Sequence, residues 1–76
     1  MPFIHIKVLK GILSKEKKDE MIKRVSETVV EIEVGSENMD NILPYTLCLL
    51  EEVDFDHWGI GGKAVTPELL QQILKG

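Results

Sequence analysis

The chain has 76 residues, 43% hydrophobic and 29% charged, with nine basic and 13 acidic side chains and a formal net charge of −4. An acidic balance with a pI near 5.0 speaks against nucleic-acid phosphates as a partner. No apolar run approaches the roughly 18 residues that a transmembrane helix needs, so no membrane partner is expected either. The length suits a single domain over residues 1–76. A chain this short hides only about 60% of its unfolded surface by itself. Part of its apolar content is therefore expected to be buried between subunits.

The start, Met1-Pro2-Phe3-Ile4-His5-Ile6-Lys7-Val8-Leu9, reads as a strand with a proline at its head. Ile4, Ile6 and Val8 share one face; Phe3, His5, Lys7 and Leu9 share the other. Aminopeptidases remove an initiator Met that precedes a small residue, which makes Pro2 the expected mature N-terminus. Its secondary amine, rigidly held and partly buried, takes a pKa below the roughly 8 of an ordinary α-amine. A neutral amine fixed in place is a general base. Proline ahead of a strand is also structurally harmless, having no ladder donor to lose, so the dipeptide alone does not settle its role. The start has neither the basic region nor the cleavage site of a secretory signal. The lone Cys48 forms no internal disulfide, which fits a reducing cytoplasm.

Lys10-Gly11 ends the strand, and Ser14 is the expected cap of a long helix, with Glu16 in its first turn. Met21, Ile22, Val25, Val29 and Ile32 recur at helical spacing and predict one buried stripe. The lysines and glutamates between them form a solvated face. Val34-Gly35 closes the helix. A short helical turn from Ser36 and a loop at Asp40-Asn41 follow, and Pro44 is expected to stop any helix. Residues 45–53 predict a second strand, apolar on both faces until Glu51-Glu52, and hence covered on both faces. The helix supplies one cover and a second subunit the other. Strand, long helix and strand make a βαβ unit with parallel pairing and a right-handed crossover. Three glycines in Trp58-Gly59-Ile60-Gly61-Gly62 suit a tight hairpin. Thr66 and Pro67 then open a short last helix with an apolar side at Leu69, Leu70, Ile73 and Leu74.

Few constellations carry chemistry. Gly59-Ile60-Gly61-Gly62 lacks the spacing of a phosphate loop and stands too far from the next helix. His5 and His57 are too few for a metal cluster, so no metal is expected. His5 reads as a strand residue with a hydrogen-bond partner, His57 as a loop residue, Tyr45 as a strand-edge residue and Cys48 as core packing.

Pro2 at the head of a strand, a βαβ unit of about 60 residues, and an aromatic before Gly59-Ile60-Gly61-Gly62 together resemble the tautomerase superfamily, in particular its short 4-oxalocrotonate tautomerase-like members. The resemblance runs through Pro2-Phe3-Ile4-His5-Ile6, residues 14–29, residues 47–53 and His57-Trp58-Gly59-Ile60-Gly61-Gly62. It implies an α/β (α+β) fold: a β-α-β unit with a parallel two-stranded sheet, a C-terminal β-hairpin and a short helix. It implies an oligomer as well, a homohexamer built as a trimer of dimers, or a dimer. Such enzymes use no cofactor. Pro2 matches the general base that moves a proton within an enol or dienol acid, and Trp58 the aromatic that walls the pocket. Two arginines that normally complete the site are absent. Ile12 stands at one position and, by gapless counting, Leu47 at the other.

An arginine pair binds a dicarboxylate and polarises its carbonyl as negative charge develops. Aliphatic residues there, with Phe3 close by, imply a more apolar small-molecule substrate. Lys7, Lys10, Arg24 and Lys63 are available cations, none at a matching position. Three functions follow: an isomerase with Pro2 as base, a hydratase or dehalogenase in which protonated Pro2 is an acid and Glu51 or Glu52 activates water, and a non-catalytic subunit on the same fold.

Overall fold

The computed structural model describes residues 2–76; the expected removal of Met1 lies outside the described residues. Strand β1 (Phe3–Leu9) leads into helix α1 (Lys15–Val34), and helix α2 (Met39–Ile42) lies between 3-10 turns at Ser36–Asn38 and Leu43–Tyr45. Strand β2 (Leu47–Val53) follows, then a turn at Phe55–His57, the hairpin strands β3 (Gly59–Ile60) and β4 (Lys63–Ala64), and helix α3 (Pro67–Lys75). The fold is thus the expected β-α-β unit with a hairpin and a terminal helix.

Local chemistry sets the boundaries. The Ser14 hydroxyl accepts the Lys17 N–H at 3.2 Å and opens α1. Gly35 closes it at φ 86°, a value that L side chains rarely adopt. The Thr66 hydroxyl accepts the Leu69 N–H at 3.1 Å and starts α3, with Pro67 in its first turn. The second strand begins two residues later than expected. Pro44 does not stop the helical path but sits in the first turn of a 3-10 segment, where its missing N–H costs nothing. Tyr45 belongs to that turn, which Thr46 closes, its hydroxyl donating to the Ile42 carbonyl at 3.1 Å.

The two strands pair in parallel from Phe3↔Leu47 through Leu9↔Val53. Ile4, Ile6, Val8, Cys48 and Leu50 are half-buried on the side of α1, while Phe3, His5, Lys7, Leu47, Leu49 and Glu51 are exposed on the other. The expected helical stripe needs one correction. Val30 is fully buried and Ser26 buried, whereas Ile32 is 81% exposed. At about 100° per residue, Ile32 points roughly 200° away from Val30.

Among the described residues only Val30 and Val65 are buried hydrophobics. Phe3, Leu47 and Leu49 stay 64%, 62% and 50% exposed. The radius of gyration is 15.7 Å and the long axis 45 Å, against about 11 Å of gyration radius for a compact chain of this length. The accessible surface is 5843 Å², where a compact monomer of this mass exposes about 4,700 Å². No helix among the described residues is long and apolar enough to cross a membrane.

One polar latch ties the helix to the far end of the sheet. The Lys18 ammonium donates to Glu52 at 2.6 Å, and the Gly11 N–H donates to the other Glu52 oxygen at 3.2 Å. The Lys18 hydrogen bond, then the Gly11 N–H, hold the Glu52 carboxyl below its ordinary value of 4.5. A depressed folded-state pKa contributes stability that is present above the ordinary value and lost as pH falls through the folded one. Glu52→Gln is therefore expected to lower Tm at neutral pH, with the gap to wild type closing as the pH drops through the carboxylate range. Thermal melts of both proteins across that range check it; a gap that persists unchanged into acid contradicts it.

Candidate functional site

Parallel pairing sorts the expected site residues into two groups. At the start of the sheet the Pro2 carbonyl accepts the Leu47 N–H at 3.4 Å. Pro2 is half-buried there, next to the Phe3–Leu47 register pair on the open face. At the other end the Trp58 indole Nε1–H donates to the Val53 carbonyl at 3.2 Å, and the Lys10 N–H donates to the same carbonyl at 3.0 Å. Ile12 lies in the loop at this end, half exposed, just beyond the Gly11 N–H that Glu52 holds. Six strand steps separate Leu47 from Val53, about 20 Å. Pro2, Phe3 and Leu47 therefore come together within one chain, while Ile12 and Trp58 lie at the other end of the sheet, and the two groups do not meet.

The hairpin is exposed along both of its strands. Gly61 and Gly62 form its turn at φ 59° and 83°, and positive values at both central positions fit a type I′ connection. The Val65 N–H donates to the Trp58 carbonyl at 2.9 Å, which anchors the base of the hairpin beside the buried Val65. Ile60, Ile73 and Leu74 remain exposed beyond it.

Two clefts run along α1, and neither is lined by Pro2 or Trp58. One of about 410 Å³ lies between α1 and the start of β2, over Ile22, Ser26, Leu43, Leu47 and Cys48. The other, of about 370 Å³, follows the flank of α1 along Leu13, Met21 and Val25.

The polar residues are mostly committed. His5 Nε2 and Glu51 Oε1 are 2.9 Å apart on the open face, so His5 has its hydrogen-bond partner. Arg24 pairs with Glu20 at 2.6 Å one turn away on α1. The Lys10 ammonium lies 3.6 Å from Asp54, with both groups exposed. Two features escaped the reading of the sequence. Asp54, Asp56 and His57 bring their ligating atoms within 4.8 Å of one another on one exposed turn; the close spacing of Asp54-x-Asp56-His57 was the available signal. The shared Val53 carbonyl had none, because it depends on the register at which two distant segments meet.

A family model described as "Tautomerase enzyme" matches residues 2–67, which span both groups and the hairpin between Trp58 and α3. The chain belongs to the tautomerase family. Among curated tautomerases, the probable tautomerase K2 of Dickeya dadantii (strain 3937) is 32% identical over 66 residues, covering 87% of this chain and 90% of that protein. The crystal structure of DmpI from Helicobacter pylori is 30% identical, with a TM-score of 0.61 over 93% of this chain and 97% of that one. A 4-oxalocrotonate tautomerase homologue is 26% identical, with a TM-score of 0.64 over 82% and 87% of the respective chains. The tautomerase frame thus extends over most of the chain.

Proposed function

We propose that this chain is a cofactor-free tautomerase, an isomerase in which the amine of Pro2, freed by loss of Met1, is the general base for keto–enol or 1,3-proton transfer on a small, relatively apolar enol or keto acid. The observation that carries this reading is the fastening of Pro2 at the head of β1 by the Leu47 N–H, in a chain of the tautomerase family. A base held by the sheet stays aimed at one point, and alignment is what makes proton transfer fast. The amine takes a proton from one atom of the substrate and returns it to a carbon two bonds away. No oxidant or cofactor is required.

The pocket is completed by other copies of the chain. Pro2 and Trp58 are too far apart in one chain for a small substrate to touch both. The open face of the sheet, with Phe3, Leu47 and Leu49, and the exposed hairpin supply surfaces for such copies. The surface in excess of a compact monomer, about 1,100 Å² by the comparison above, is of the size that a specific interface buries. A homohexamer, as a trimer of dimers, or a smaller dimer uses these surfaces.

Ile12, Leu47, Phe3 and Trp58 make the pocket wall apolar. Burial of a ring gains about 25 cal/mol per Å², whereas a second carboxylate without a partner costs several kcal/mol. Aryl or alkyl monoacids are therefore preferred over diacids. Hydration or dehalogenation is less well supported, because both candidate water-activating carboxylates are engaged, Glu51 by His5 and Glu52 by Lys18 and Gly11. A non-catalytic subunit shows no turnover at all.

Turnover of a phenyl enol monoacid is expected to fall at least about 100-fold in Pro2→Ala, with kcat/KM for the monoacid above that for a dienol diacid in wild type, and mass spectrometry of the active protein finding Met1 removed. Undiminished activity in Pro2→Ala, or with Met1 retained, overturns the assignment. Sedimentation at micromolar concentration is expected to give an oligomer; a stable folded monomer contradicts the shared pocket.

A further inference from the structure

The corner where β1 and β2 end holds a cation to which the proposed reaction has assigned no task. One carbonyl, that of Val53, accepts both the Lys10 N–H at 3.0 Å and the Trp58 indole N–H at 3.2 Å. The shared acceptor pins the polar edge of the indole beside the backbone of Lys10. From that point the Lys10 side chain leaves into solvent, 66% exposed, and its partner is the Asp54 carboxylate at 3.6 Å. An ion pair so long and so exposed contributes little, and another carboxylate replaces it easily. The neighbouring Lys18 is not available in the same way, since Glu52 holds it at 2.6 Å and its side chain is two-thirds buried. Ile12, in the adjoining loop, brings no charge.

Resting on the reading of Trp58 as the pocket wall, we infer that Lys10 is a specificity-determining residue that takes the single carboxylate of an aryl or alkyl monoacid lying against Trp58, in exchange for Asp54. The surroundings limit it to one carboxylate. Asp54 and Asp56, with His57, and Glu52 lie at this corner, so a second anionic group on the ligand meets three carboxylates. A lysine ammonium on a long stem suits this exchange, because it follows the carboxylate without a fixed bidentate geometry. The corner thus selects by charge, while the indole selects by its flat apolar face.

Trp58 is the one tryptophan of the chain, so its fluorescence reports binding at this corner without any turnover. The probes are 3-phenylpropanoate and, as its neutral counterpart of similar shape, 3-phenylpropan-1-ol. Lys10→Met is expected to weaken phenylpropanoate at least about tenfold, the scale of one hydrogen bond to a charged group, and to leave the alcohol within about twofold. Lys10→Arg retains the acid, and Asp54→Asn tightens it. Equal losses for acid and alcohol in Lys10→Met, no loss for either, or no binding of the acid by wild type overturns the assignment. A failed base assignment appears as unchanged turnover in Pro2→Ala, and a failed Lys10 assignment as unchanged acid binding in Lys10→Met.

Discussion

Seven register pairs join β1 to β2 in parallel, from Phe3↔Leu47 to Leu9↔Val53, and both strands therefore begin at the same end of the sheet. The chain returns to that end through α1, which covers one face only. Whatever precedes β1 is then placed at the start of the sheet, and whatever follows β2 at its far end. Pro2 takes the first position and Trp58 the second. The separation of Pro2 from Trp58 and the exposed row of Phe3, Leu47 and Leu49 both derive from that one pairing.

The far end is organised by two acceptors. Glu52 gathers the Lys18 ammonium and the Gly11 N–H, which fixes the loop that carries Ile12. The Val53 carbonyl gathers the Lys10 and Trp58 donors, which fixes the indole. Neighbouring residues on one strand thus hold an aliphatic loop and an aromatic edge. With an aliphatic residue, Ile12, in this loop, the proposed recognition of a carboxylate falls to Lys10 at the edge of the corner.

Much of the frame was legible from periodicity and caps. The alternation in residues 3–9, the Ser14 and Thr66 caps and the glycine pair at the hairpin turn each have a short-range cause, and each appears as expected. The errors arose where the decision is tertiary. Ile32 fits the helical spacing as well as Val30 does, but the sheet meets only one edge of a wide apolar band. Tyr45 has the composition of a strand residue, yet a proline in a first 3-10 turn kept it out of the ladder. Pro2 and Trp58 stood out in the sequence; that they lie at opposite ends of the sheet follows from the parallel register and not from their spacing along the chain.

In the proposed pocket one chain supplies the base and another the aromatic wall. Subunit mixing tests it most directly. Pro2→Ala and Trp58→Ala, each of low activity alone, are unfolded together, refolded as a mixture, and assayed against a phenyl enol monoacid beside the separately refolded variants. If the pocket is shared, mixed oligomers contain sites with Pro2 from one variant and Trp58 from the other, and activity rises well above the sum of the two parents. Activity that stays at that sum, in oligomers shown by mass spectrometry to contain both subunits, would contradict the shared site.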